Sequence, residues 1–201
     1  MKVEIIKNTR VFDGFFKIDE AVLKHEKFNG QMSAEIKRLC FERGSSVAVL
    51  LYQSDPAQVW LTRQFRYPAH VFDPRPYHDR GWVLETIAGM VGKNELPIDC
   101  AEREVFEESG FKLTGALYYI SSFFVSPGGS SEYIYLYAAP VTLKDKKNDG
   151  GGVVTENEDI KIENFSLTEA LNMARQGEIC DAKTIIALQW LEKQLILKRA
   201  L

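Results

Sequence analysis

Cysteine, histidine and long apolar runs are all scarce in this chain, and each scarcity narrows what it can be. The three cysteines, Cys40, Cys100 and Cys180, are odd in number and far apart. They offer no disulfide framework and read as reduced, structural residues of a cytoplasmic protein. His25, His70 and His78 show no metal-ligand spacing, so no zinc site is expected. No segment approaches the roughly 18 uninterrupted apolar residues of a membrane helix. Nor does an apolar run follow a basic start, because Lys7, Arg10, Asp13 and Lys17 interrupt it; a secretory leader and a membrane partner are both unexpected. A basic excess is missing too: 25 Lys and Arg face 28 Asp and Glu, for a net charge of −3. Nonspecific nucleic-acid binding, which draws on a positive surface, is therefore not expected.

What remains is ordinary soluble composition, with 45% hydrophobic and 26% charged residues in a chain of 201, enough for one domain with a small appendage. One stretch, Gly89 to Phe111, stands out. Pro97 suits the first turn of a helix, where its missing N–H is not needed. Asp99 and Glu102 add negative charge near that start, and Gly110 can end the helix in the left-handed conformation. Ala101 and Val105 recur four apart as a narrow apolar stripe. Glu104, Glu107 and Glu108 fall at i, i+3 and i+4, so three carboxylates project from one face. Glu107 and Glu108 also occupy the last turn, where the helix dipole disfavours negative charge. A bare acidic face of this kind is often just solvated; it also suits a hard divalent cation, which prefers carboxylate oxygen.

Gly89, five residues, Glu95, seven residues, then Arg103-Glu104-Val105-x-Glu107-Glu108-x-Gly110-Phe111 resembles the complete Nudix box without a departure. The resemblance implies an α/β/α sandwich and metal-dependent hydrolysis of a nucleoside diphosphate linked to another group. It assigns Mg²⁺ (or Mn²⁺) to Glu104, Glu107 and Glu108, with the carbonyl of Ala88 as a further ligand. Arg103 and Glu95 are expected to brace loop and helix.

The pattern before and after the box gives the rest. Residues 1–43 alternate in short runs with turn signals at Asp13-Gly14 and Asn29-Gly30, predicting a meander of about three strands, too small to be stable alone. Residues 44–201 form the main domain. SVAVLLYQ reads as a buried strand and VWLTRQFR as the next, with Arg63 and Arg66 on opposite faces. Residues 67–81 read as an irregular loop whose Tyr67, Phe72 and Tyr77 are suited either to stack on a base or, the favoured reading, to anchor it to the core. WVLETIAGM leads into the box, and Glu85, an acid among apolar residues, needs a partner; it is a plausible neighbour of the metal site. Gly115–Val125 and Glu132–Val141 read as strands, joined by a turn whose backbone N–H groups can face an anion. Lys144–Asn157 reads as a mobile Gly-rich loop. Ser166-Leu-Thr-Glu169 opens a helix through about Arg175, and a second helix runs from Asp181 to about Leu197.

Further segments resemble the bacterial ADP-ribose pyrophosphatases within that family. FNGQMS (Phe28–Ser33) followed by CFERG (Cys40–Gly44) resembles their N-terminal segment, which is exchanged between subunits of a homodimer and helps to form the nucleoside pocket. SPGG-x-SE resembles a segment they share with GDP-mannose hydrolases, and Pro127 lies sixteen positions past the box. The resemblance favours Arg66, Arg38 and Arg43 as diphosphate contacts, with Pro127, Gly128 and Glu132 at the substrate. It makes Glu156 the catalytic base and Glu158 its reserve. The implied reaction is hydrolysis of ADP-ribose to AMP and ribose 5-phosphate. Alternatives are a broader nucleoside diphosphate sugar hydrolase, with GDP-mannose first, and an ADP-ribose sensor that does not cleave its ligand.

Overall fold

Residues 1–74, 80–153, 155 and 157–199 are described by the structure, a computed structural model. The chain divides into two compact units, Met1–Ser45 with Phe123–Ile134, and Ser46–Ser122 with Tyr135–Leu201.

In the first unit β1 (Val3–Asp13), β2 (Lys17–His25) and β3 (Ile36–Glu42) form an antiparallel sheet in chain order. Its turns fall where Asp13-Gly14 and Asn29-Gly30 stand, and Gly30 takes a φ of 80°, the positive value an Asn-Gly turn calls for. Arg10, opposite Asp19 in the β1–β2 register, donates to both Asp19 oxygens and to Glu42 on β3. One guanidinium thus links all three strands. Phe41 N–H donates to the Gly129 carbonyl at 2.8 Å and Ser131 N–H to the Phe41 carbonyl at 3.0 Å, so the turn after Val125 is sewn to β3. All of β1 is exposed.

The second unit is built on a sheet in the order β10 (Ile160–Ser166), β5 (Ala57–Phe65), β4 (Ser45–Ser54), β9 (Tyr133–Pro140) and β8 (Tyr118–Phe124). β6 (Trp82–Glu85) pairs with β5 and β7 (Ile87–Met90) with β4. The apolar run of β4 is continuous because both of its faces are covered: Val47 through Leu51 are fully buried. Val47, Val49, Leu51, Trp60 and Ile87 pack against Cys100, Ala101 and Val105 of α2 (Pro97–Ser109). α3 (Leu167–Gln176) packs on β5, β10 and α4 (Ala182–Arg199), and its Ser166 cap accepts from Glu169 N–H. This is the layered mixed α/β architecture expected. No helix among the described residues is long and apolar enough to cross a membrane.

Expectations for residues 67–81 and for the cysteines need correction, and two further features were not foreseen. Residues Tyr67–Phe72 form a short helix, α1, rather than irregular loop, because Pro68 falls in the first turn, where it is tolerated. Tyr67 and Phe72 are 67% and 80% exposed, so neither anchors the segment to the core; Tyr77 lies outside the described residues. WVLETIAGM is two strands, since Thr86 marks the switch of pairing from β5 to β4. The polar segment after Asp159 is a strand, β10, that the alternation did not announce. Finally, Cys100 is buried but Cys180 is exposed, so the structural reading fits the first and not the second.

Candidate active site

α2 carries its acids where the sheet packing puts them. Pro97 opens the helix after an extended Leu96, and Gly110 closes it at φ 72°. With Ala101 and Val105 held at the core, Glu108 falls on the margin of the same face and is only 4% exposed. Its carboxylate accepts from Ala88 N–H on β7. Glu104 lies against Gly89: a Cβ added there would stand 1.9 Å from the Glu104 carboxyl carbon, so only glycine leaves room for that carboxylate. Burial, then the charges of Glu104 and Glu158, push the Glu108 carboxyl well above its ordinary range. Glu104 is raised as well, chiefly by burial, although Arg103 opposes the shift.

Arg103 braces the assembly. It donates through Nε to Glu95 at 2.9 Å, through one terminal nitrogen to Glu104 at 2.7 Å and Glu107 at 3.1 Å, and through the other to Glu95 and the Met90 carbonyl. Glu95 in turn accepts from Gly92 N–H at 2.7 Å. Arg103 and that backbone donor draw the Glu95 carboxyl down to about 2. Glu104 and Glu107 are both turned to Arg103, and no three His, Cys, Asp or Glu side chains among the described residues are gathered closely enough to hold a metal ion.

The Gly-rich segment proves to be tied down. Lys147 N–H donates to Gly110 O, Gly151 N–H to Glu108 O at 2.9 Å and Gly152 N–H to Glu107 O at 3.2 Å, satisfying carbonyls that a helix end leaves open. Glycine serves here for close approach. A Cβ on Gly150, at φ 68°, would stand 2.2 Å from the Glu108 carbonyl oxygen, which is backbone and cannot yield. Gly150→Ala is expected to cost roughly 1–3 kcal/mol, read as a lower urea midpoint; an unchanged midpoint would show the clasp to be dispensable. Beyond the clasp, Val153 N–H donates to Glu158 at 2.8 Å, and Glu158 is close enough to raise both Glu104 and Glu108. Sequence reasoning held Glu158 only as a reserve base; its contact with the α2 acids was missed. Glu156 lies outside the described residues.

Glu85, 6% exposed at its side chain, has two cationic partners. Arg66 Nε donates to Oε1 and Lys183 Nζ to Oε2, each at 2.6 Å. Burial works to raise the Glu85 carboxyl, yet Lys183 and Arg66 outweigh it and hold it below its ordinary value. A group with a depressed folded pKa adds stability above its unfolded value and loses it as pH falls through the folded one. As pH falls below the ordinary carboxylate range the wild type should therefore lose stability more steeply than Glu85→Gln, as chemical denaturation across the acid range would show; parallel profiles would contradict it.

In the first unit, Arg38 is exposed and donates to the Lys37 carbonyl. The Arg43 guanidinium lies 4.9 Å above the Phe16 ring and 3.8 Å from Glu132. Pro127 and Gly128 stand in the turn beside them in sequence, and a Cβ on Gly128 would meet nothing within 4 Å. The N–H groups expected to face an anion are largely used: Gly129 and Ser130 donate to Ser126 O, Ser131 to Phe41 O and Glu132 to Ser130 Oγ. Arg66, Ala88, Glu104, Glu107, Glu108 and Glu158 belong to the second unit.

Residues 42–188 match the NUDIX domain, and the chain belongs to the Nudix family. With that membership comes the class of reaction, hydrolysis of a phosphoanhydride bond. An Escherichia coli (strain K12) protein called ADP-ribose pyrophosphatase is 36% identical over 192 residues, 94% of this chain and 88% of that one. The GDP-mannose pyrophosphatase of Enterobacter sp. (strain 638) is 34% identical over 192 residues, covering 96% of both. A solved structure titled "Crystal structure of ADP compounds hydrolase" superposes with a TM-score of 0.72 over 98% of this chain and 96% of that one, at 18% identity, and supports the fold. Enzymes of this class use a divalent cation, and the donor set here fits one. Glu104 and Glu108 are hard oxygen donors, both raised chiefly by burial, with Gly89 leaving space for Glu104 and the Glu104 charge adding to the shift of Glu108.

Proposed function

We propose that this protein hydrolyses the diphosphate bond of ADP-ribose to AMP and ribose 5-phosphate with Mg²⁺. The observation that carries the reading is the pair of carboxylates, Glu104 and Glu108, packed against β7 with Glu158 nearby. Such a concentration of negative charge in a half-dry place is costly without a cation. The choice of ADP-ribose rests on the relatives named above. Glu104, Glu107, Glu108 and the Ala88 carbonyl would hold Mg²⁺, with Mn²⁺ as a substitute. A bound divalent ion there neutralises diphosphate charge and acidifies a water. The protein's own groups do the remainder. Arg66 offers a planar fork to phosphate oxygens, with Arg38 and Arg43 as further contacts and Pro127, Gly128 and Glu132 shaping the nucleoside side. Glu156 accepts the proton of the water that attacks phosphorus as the bridging P–O bond breaks. Glu158 is its reserve and adds to the acidic set.

The working form is a homodimer with exchanged N-terminal segments, in the cytoplasm. Val3, Ile5, Val11, Phe12 and Phe15 are exposed on the first unit, apolar side chains that an exchanged segment would cover. Light scattering is expected to give twice the 22.9 kDa chain mass, and a monomer at micromolar concentration would remove this part of the reading.

A second reading is favoured by the GDP-mannose pyrophosphatase relatives, which this chain spans almost end to end. Phosphate-coupled turnover on ADP-ribose, GDP-mannose, ADP-glucose, UDP-glucose and NADH, with Mg²⁺ and with chelator, separates them. Preference for ADP-ribose supports the proposal, and preference for GDP-mannose replaces its substrate. Binding of ADP-ribose with no metal-dependent turnover of anything would make the protein a sensor.

A further inference from the structure

The last turn of α2 is an unfavourable place for acids, because its open carbonyls form the negative end of the helix. Glu107 and Glu108 stand there, and the segment after Asn148 offsets this with backbone donors. Gly151 N–H lies 2.9 Å from Glu108 O and Gly152 N–H 3.2 Å from Glu107 O. The chain then turns back on itself. Ile160 N–H, at the start of β10, donates to Gly151 O at 3.3 Å, and Val153 N–H donates to Glu158 Oε2 at 2.8 Å. Residues 151–153 are therefore bonded on one side to the helix that carries the acids and on the other to β10 and Glu158.

What leaves room for Glu158 is the lack of a side chain at position 152. A Cβ on Gly152 would stand 2.5 Å from Glu158 Oε2, 2.7 Å from Glu158 Cβ and 3.1 Å from Ile160 Cδ1. The Glu158 side chain thus lies in the space that any other residue would fill. Gly151 differs. Its φ of 110°, like the 83° of Gly152, is a value that L side chains rarely adopt. Yet a Cβ on Gly151 would meet, among the described residues, only Ile160 O at 3.9 Å. Strain is common to the two glycines, and displacement of Glu158 belongs to Gly152 alone. Glu158, so held, is within electrostatic reach of Glu104 and Glu108.

We propose that Gly152 is a positioning residue for the acidic set. By leaving room for the Glu158 side chain on a backbone platform bonded to α2, it registers that carboxylate against Glu104 and Glu108, where its charge adds to theirs for Mg²⁺. The inference rests on the proposed reading of these acids as the Mg²⁺ site. A β-carbon at position 152 would push Glu158 off Val153 N–H and away from the helix. The site would then lose both charge and rigidity, the two properties that set its affinity for a hard cation.

The test is a Mg²⁺ titration of metal-stripped protein, read without substrate as the rise in melting temperature. It compares wild type, Gly152→Ala, Gly151→Ala, Glu158→Gln and the Gly152→Ala, Glu158→Gln double variant. Gly152→Ala should raise the half-saturating Mg²⁺ concentration about tenfold, and Glu158→Gln by a similar factor. The double variant should lie within about twofold of Glu158→Gln, since the charge being positioned is already gone. Gly151→Ala should lower the metal-free melting temperature as Gly152→Ala does, yet keep the wild-type Mg²⁺ response within about threefold. In steady-state kinetics at saturating Mg²⁺, KM for ADP-ribose should change less than about threefold in Gly152→Ala. A wild-type Mg²⁺ response in Gly152→Ala, where Glu158→Gln weakens it, overturns the proposal. So does an equal loss in Gly151→Ala, or a further loss of about tenfold in the double variant. A wild-type response in Glu158→Gln, or a wild type that Mg²⁺ does not stabilise, overturns the reading beneath it instead. Should Gly152→Ala fail to fold, Val153→Pro, which deletes the N–H that Glu158 accepts, takes its place in the same cycle.

Discussion

Glu108→Gln is expected to lower Mg²⁺-dependent turnover by about a thousandfold or more while raising the melting temperature of the metal-free protein. The two effects share one cause. Glu108 is almost wholly buried, and its neighbours Glu104 and Glu158 are acids. Its folded pKa lies above the unfolded value, so the folded state keeps the proton longer and stability falls as pH rises from about the ordinary carboxylate value. At neutral pH and above, the wild type holds a charge that its surroundings resist. Glutamine removes the charge, keeps the size, and retains an oxygen to accept from Ala88 N–H. It also removes an anionic donor, which no neutral amide replaces. Melting curves in chelator and in Mg²⁺, taken from pH 5 to 9, check this. Mg²⁺ should stabilise the wild type most at high pH and the variant hardly at all. Equal Mg²⁺ stabilisation of both, or near-wild-type turnover in the variant, would sink the assignment of Glu108.

Gly89→Ala should reduce turnover by roughly a hundredfold with little loss of stability. The added Cβ would overlap the carboxyl group of Glu104, which is the end of a flexible side chain and can swing away. Gly89 has no positive φ among the glycines that do, so alanine brings no backbone strain at this point of β7. What is displaced is the carboxylate itself. Melting temperature and kcat measured together separate the cases: a large drop in both would make Gly89 a folding residue, and a drop in neither would detach Glu104 from the reaction.

Much of this was legible because the box is local. Its glycine, arginine and acids all lie within the one stretch from Gly89 to Phe111, and the helix that carries the acids follows from Pro97, Gly110 and the Ala101–Val105 stripe. What sequence could not give depends on distant partners. Glu85 visibly needed a partner, but Lys183 comes from 98 positions away, on the last helix. The three glycines after Asn148 read as slack because glycine for freedom and glycine for close approach look alike in a sequence; only the carbonyls of Glu107 and Glu108 distinguish them. β10 was missed because its apolar residues are few and fall out of phase, Ile160 and Ile162 and then Phe165. It is a strand because all of it, Ile160–Ser166, pairs with Gln58–Gln64 of β5.

The central claim is that the α2 acids make this a metal-dependent phosphoanhydride hydrolase acting on ADP-ribose. The most direct measurement is the appearance of AMP and ribose 5-phosphate, resolved by chromatography, from ADP-ribose and metal-stripped protein as Mg²⁺ is titrated in. The account predicts both products in equal amounts, rising with Mg²⁺ and absent in chelator. Turnover that persists in chelator, or no cleavage with either Mg²⁺ or Mn²⁺, would contradict it.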